Sequence, residues 1–128
     1  MSWNVAPVLG VRDVRATAEH WRDVLGFTLD PQTGVIDGVD ADEGAVYALL
    51  EREGARVHFQ IRRREPRPAE REGIETDLYF FVDDVDSLHR ELAERGAEIT
   101  QPPTVAPYGM REIRVEDPNG IRVTFGQP

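Results

Sequence analysis

The sequence contains no cysteine and no lysine. The first absence removes disulfides, thiolate nucleophiles and cysteine metal sites together, and it accords with a reducing compartment. The second makes arginine the whole basic complement, 15 residues against 24 aspartates and glutamates, for a net charge of −9. Such a chain lacks the basic surface that phosphate neutralisation needs, which argues against nucleic acid as a partner. Steering by that charge favours cationic partners. No stretch reaches the roughly 20 apolar residues of a membrane helix, and MSWNVAPVLG has neither the basic start nor the apolar run of a signal peptide. A soluble cytoplasmic protein without membrane contact is expected. With 40% hydrophobic and 30% charged residues in 128 positions, the composition is that of one globular domain.

What is present is a repeat. GARVHF at 54–59 returns as GIRVTF at 120–125, four letters of six unchanged. GVRDVRATAEHWRDVLGF (10–27) and FVDDVDSLHRELAERGAE (81–98) each run from a strand end into a helix that closes at a glycine, Gly26 or Gly96. Asp13 and Asp84 are suited to cap those helices. Val14, Ala18, Trp21 and Leu25 recur at helical spacing in the first, and Val85, Leu88 and Leu92 in the second. Strands are predicted at 5–11 and 76–82, with short ones near 27–29 and 98–100. REIRVE and IRVTFG flank the turn DPNG, and AVYALLE and ARVHFQI flank REG, as two hairpins. Each half thus reads β-α-β-β-β. Module one spans about 1–62, module two about 76–128, and the mixed-charge segment between them reads as a solvated linker.

Two βαβββ halves with VRDV and LGF, then DLYFFVDDVDSL, RGAEI and YGMREIRVEDPNGIRVTFG, resemble the vicinal-oxygen-chelate superfamily of glyoxalases, bleomycin-resistance proteins and extradiol dioxygenases. The wording of the second half is most similar to the bleomycin-resistance branch. The resemblance covers essentially the whole chain. It implies an α+β fold in which a curved eight-stranded mixed sheet forms a cup with helices outside, and it implies a homodimer.

Strand alternation sorts the side chains between the two faces. Val57, Phe59 and Ile61, with Ile121, Val123 and Phe125 in the repeat and Leu78, Phe80 and Val82, form apolar rows for the helix side. The opposite row then faces the cup: His58, Gln60, Asp77, Tyr79, Phe81, Arg114 and Thr124. On strand 5–11, Ala6 and Val8 point inward. On 45–51, Val46, Ala48 and Leu50 are expected inside, with Tyr47 and Leu49 outside. Tyr108, Met110 and Glu112 in PYGMRE (107–112) join the candidate ligand contacts, because the equivalent loop of relatives borders the mouth. Tyr108 and Met110 are adaptable enough to mould around an aromatic compound.

Metal-dependent relatives take ligands from the first and last strands of each module, which correspond here to Ala6, His58, Asp77 and Thr124. A catalytic divalent ion needs about three His, Asp, Glu or Cys ligands, and this set offers two. No metal and no cofactor are therefore expected. His58 is a weak candidate for acid–base chemistry near Asp77 or Tyr79. The acidic stretch DPQTGVIDGVDADEG (30–44) does not match a calcium-loop spacing and reads as a solvated loop. The sequence reading is a metal-independent, bleomycin-resistance-type protein that sequesters a small aromatic, cationic compound. The alternative is a glyoxalase- or dioxygenase-like lyase or transferase, metal-dependent or using His58.

Overall fold

In module one, the computed structural model sets β1 (Val8–Val11) before a helix, α1 (Val14–Asp23), whose entry is fixed by Asp13. The Asp13 carboxylate accepts from the Ala16 backbone N–H at 2.9 Å, one of the donors that a helix start leaves unpaired. The structure describes residues 2–40, 42–64 and 75–128. Most of the linker read at 63–75 lies outside the described residues. The chain divides into two compact units, with the division falling between residues 67 and 68.

After α1 come β2 (Thr28–Leu29), β3 (Val35–Asp37), β4 (Ala45–Arg52) and β5 (Ala55–Ile61). The sheet order is β1-β5-β4-β2, with β3 also on β4; β1 runs parallel to β5 and the remaining pairs are antiparallel. β3 departs from the solvated loop expected over 30–44. Gly34 and Gly44, both at positive φ, bound this excursion, and Val35 and Ile36 pair with Ala48 and Tyr47.

Module two repeats the plan with β6 (Leu78–Phe81), α2 (Val85–Glu94), β7 (Glu98–Val105), β8 (Arg111–Glu116) and β9 (Arg122–Gln127), in sheet order β6-β9-β8-β7. The Asp84 carboxylate caps α2 through the Ser87 N–H. β7 is longer than the expected 98–100, and its pairing with β8 shifts twice, between Ile99 and Gln101 and again between Gln101 and Thr104, where Pro102 and Pro103 supply no N–H. Two mixed sheets and two helices give an α+β fold of two βαβββ modules, with β3 added to the first. Among the described residues, no helix is long and apolar enough to cross a membrane.

One face of each sheet is buried under its helix. Trp21 on α1 is fully buried and meets Phe27 and Phe59 edge-on at ring-centroid distances of 5.0 and 5.1 Å. Val14, Ala18 and Leu25 complete the helix side, and Ala48, Leu50, Val57 and Phe59 are the buried residues of the sheet beneath. Here the structure overturns the expected parity of β4. In the antiparallel ladder Ala48 stands opposite Phe59 and Leu50 opposite Val57, so all four share the helix face. Ala48 and Leu50 are core residues, and they leave the set of candidate ligand contacts. Tyr47 and Leu49, opposite Gln60 and His58, occupy the open face instead.

In module two, Val85, Leu88 and Leu92 of α2 and Ile113, Val115, Val123 and Phe125 of the sheet form the equivalent core. Asp86 on α2 takes a two-pronged bond from Arg111 on β8, at 2.8 and 3.0 Å, which ties helix to sheet. That bond is the leading cause of an Asp86 carboxyl held below its ordinary range. Since Trp21 fills the centre of the first core, Trp21→Ala should cost about 3–5 kcal/mol. Chemical denaturation of the purified variant measures this, and a loss below about 1 kcal/mol would mean that the site collapses around the gap.

Candidate functional site

The open face of module two is organised around a carboxylate. Glu112, on β8, is only 1% exposed. A buried carboxylate needs donors, and two tyrosines supply them. The Tyr79 hydroxyl on β6 donates to Glu112 Oε2 at 2.6 Å, and the Tyr108 hydroxyl donates to the same oxygen. β9 lies between β6 and β8, so Tyr79 must reach across a strand. It can do so because the residue facing Glu112 on β9 is Gly126. A Cβ on Gly126 would stand 1.9 Å from the Tyr79 hydroxyl oxygen.

Tyr108 comes from the turn between β7 and β8. That turn is closed by Ala106 N–H to Met110 O at 2.7 Å and Gly109 N–H to Ala106 O at 2.8 Å. Gly109 holds the left-handed conformation that the closure requires. Beside the cluster, the Phe81 ring lies 5.2 Å from that of Tyr79 and is 74% exposed, unusual for an aromatic side chain within a strand. Arg114 and Thr124 face each other one register step away, and Gln101 on β7 pairs with Arg114.

The structure therefore assembles Tyr79, Phe81, Tyr108 and Glu112 on one face, with Arg114 and Thr124 adjoining and Met110 at the end of the loop. Gly126 is the member that sequence reasoning missed. The repeat carried its signal: Gln60 follows GARVHF where Gly126 follows GIRVTF, so one module is bare at the position the other fills. Tyr108 combines two environments. Its ring is largely exposed, yet its hydroxyl belongs to the bonding of a buried acid.

On the open face of module one, Val8 pairs with His58, and Gln60 adjoins Tyr47. The Tyr47 hydroxyl and His58 Nδ1 lie 2.8 Å apart, with the rings edge-on. That contact orients the imidazole and leaves Nε2 for other partners. Tyr47 was the second residue missed, for the parity reason given above. Asp77 and Thr124 are engaged differently from the metal-ligand role that relatives assign to their positions. Asp77 Oδ2 accepts from the Arg122 backbone N–H at 2.9 Å, and the Thr124 hydroxyl bonds that of Thr76 at 2.8 Å. Ala6 offers no donor atom. Among the described residues, no three His, Asp or Glu side chains group as ligands would. The residues at these positions do not fit a catalytic divalent ion.

Burial, followed by the bond to Glu112, pushes the Tyr79 phenol well above the usual tyrosine range. For Tyr108 the bond to Glu112 comes first and burial second, in the same direction. A raised phenol favours the protonated form in the folded state. Its contribution is complete below about pH 10 and is lost as pH rises through the folded value. Melts of wild type and Tyr79→Phe across the alkaline range should show a steeper decline for wild type, whereas parallel curves would refute the linkage. Gly126→Ala must displace the Tyr79 ring from Glu112, for an expected loss of about 1–3 kcal/mol. Urea denaturation of that variant reads it, and wild-type stability would show that the ring can shift while keeping its bond.

A sequence profile described as Glyoxalase/Bleomycin resistance protein/Dioxygenase superfamily matches residues 5–125. No curated protein matches the chain. Among solved structures, the bleomycin-binding protein from bleomycin-producing Streptomyces verticillus, complexed with copper(II)-bleomycin, is 27% identical with a TM-score of 0.70, over 100% of this chain and 98% of its own. A bleomycin-binding protein complexed with bleomycin is 19% identical with a TM-score of 0.74, over 99% of both chains. TioX from Micromonospora sp. ML1 is 21% identical with a TM-score of 0.69, over 98% of both. The match across residues 5–125, on a chain folded as two βαβββ modules, makes this protein a member of the Glyoxalase/Bleomycin resistance protein/Dioxygenase superfamily.

Proposed function

We propose that the protein is a metal-independent binding protein of the bleomycin-resistance type, holding a small aromatic and cationic compound. The observation that carries this reading is the open face of module two. There an exposed Phe81 stands beside Tyr79 and Tyr108 over the buried Glu112. Aromatic walls around a few fixed polar groups are the usual make-up of a small-molecule site. Phe81 is not a stray ring: it adjoins Tyr79, and Tyr108 is exposed on the same face. A contiguous aromatic patch of this kind supports a binding role where a single exposed ring would not. The bleomycin-binding neighbours and the acidic net charge support the same class of ligand.

We also propose a homodimer. β1 and β6 are end strands in their sheets, and end strands present unpaired backbone groups that proteins ordinarily cover. Light scattering at micromolar concentration decides it, and a monomer would refute it. A second reading, acid–base catalysis at His58, is supported by the Tyr47–His58 contact. Under the binding reading, a ligand incubated with the protein is recovered unchanged by mass spectrometry; a converted product would favour the second.

Calorimetric titration with bleomycin tests the main proposal directly. Saturable binding is expected, and none at millimolar concentration would count against it. Phe81→Ala should weaken binding by about 1–2 kcal/mol, the scale of a lost aromatic contact. Its melting temperature should be unchanged, because an exposed ring contributes little to the folded core. Unaltered affinity would remove Phe81 from the site.

A further inference from the structure

We propose that Glu112 determines specificity for ligands that carry an N–H cation, and that this group takes the place of the Tyr108 hydroxyl on the carboxylate. The proposal rests on the binding role argued above and names the ligand chemistry of that same face.

The two donors on Glu112 are unequal. Tyr79 is built into β6, and its hydroxyl occupies the space over Gly126. Tyr108 lies in a turn outside the strands and is 66% exposed, and its hydroxyl reaches the carboxylate from that turn. The second is the one that can leave. A carboxylate only accepts hydrogen bonds, so whatever replaces Tyr108 must donate. A neutral hydroxyl would merely match the phenol it displaces. An ammonium, amidinium or guanidinium adds charge assistance and the attraction of neighbouring aromatic faces. Arg114 stands on the same face, and its charge acts on Tyr108. It lies opposite Thr124, however, whereas Glu112, Gly126 and Phe81 make up the adjoining row. The cation is accordingly placed along that row beside Phe81, with Arg114 in the neighbouring row. A quaternary ammonium has no N–H and cannot take over the bond.

The test is calorimetry of the full chain with benzamidine, benzyltrimethylammonium and benzyl alcohol, beside bleomycin. Benzamidine should bind about tenfold or more tighter than the other two, the scale of a hydrogen bond to a charged group. Glu112→Gln should remove that margin, and Tyr108→Phe should tighten benzamidine severalfold, since the competing hydroxyl is gone. Equal affinity for benzamidine and either other probe overturns the proposal, as does weaker benzamidine binding to Tyr108→Phe. Should Glu112→Gln fail to fold, Tyr108→Phe and the three probes still decide the matter. Bleomycin binding without discrimination among the probes overturns this inference alone, whereas no binding of any compound overturns the binding role as well.

Discussion

Strand register decides every face in both modules, and it is fixed where each final hairpin turns. In module one, Glu53 and Gly54 both adopt positive φ, the conformation of a two-residue turn whose twist suits antiparallel strands. With Arg52 set opposite Ala55, Leu50 must meet Val57 and Leu49 must meet His58. In module two, Asp117 takes on the same task with its side chain, accepting from the backbone N–H groups of Asn119 and Ile121. A slip of one residue at either turn would send the core row to solvent and bury the site.

That constraint explains what could be read from the letters alone. The repeat, the capping aspartates and the helical rows around Trp21 and Leu88 defined two βαβββ units, because periodicity and capping are local properties. Faces on β5, β6 and β9 were equally legible, since their apolar rows are unmistakable. β4 was not. AVYALLE is apolar on both faces, and alternation cannot choose between two apolar rows; only the turn could, by counting outward from Glu53 and Gly54. β3 escaped because three residues between acidic turns give no period to detect. The Tyr79–Glu112 bond spans a strand, and no local pattern announces a contact between residues 33 positions apart.

The two modules place different chemistry at matching positions. The strand pair that carries Tyr47 and Gln60 in one carries Glu112 and Gly126 in the other. The pair Val8 and His58 likewise becomes Tyr79 and Thr124. Module one keeps a side chain at Gln60 and pairs its tyrosine with an imidazole; module two clears position 126 and uses the space to bring a phenol over an acid. Duplication kept the hydrogen-bonded ladder and the buried rows, where any change costs packing. It released the open face, where change costs little until something binds there.

β7 carries a consequence of a different kind. Its consecutive prolines, Pro102 and Pro103, sit on the last strand of the second sheet, and the pairing with β8 shifts on both sides of Gln101. An outermost strand with missing donors and an uneven outline is a poor template for another chain to zip onto. Runaway fibre growth from that border is thereby discouraged throughout the molecule's lifetime, including the moments when a freshly made chain is crowded by copies of itself.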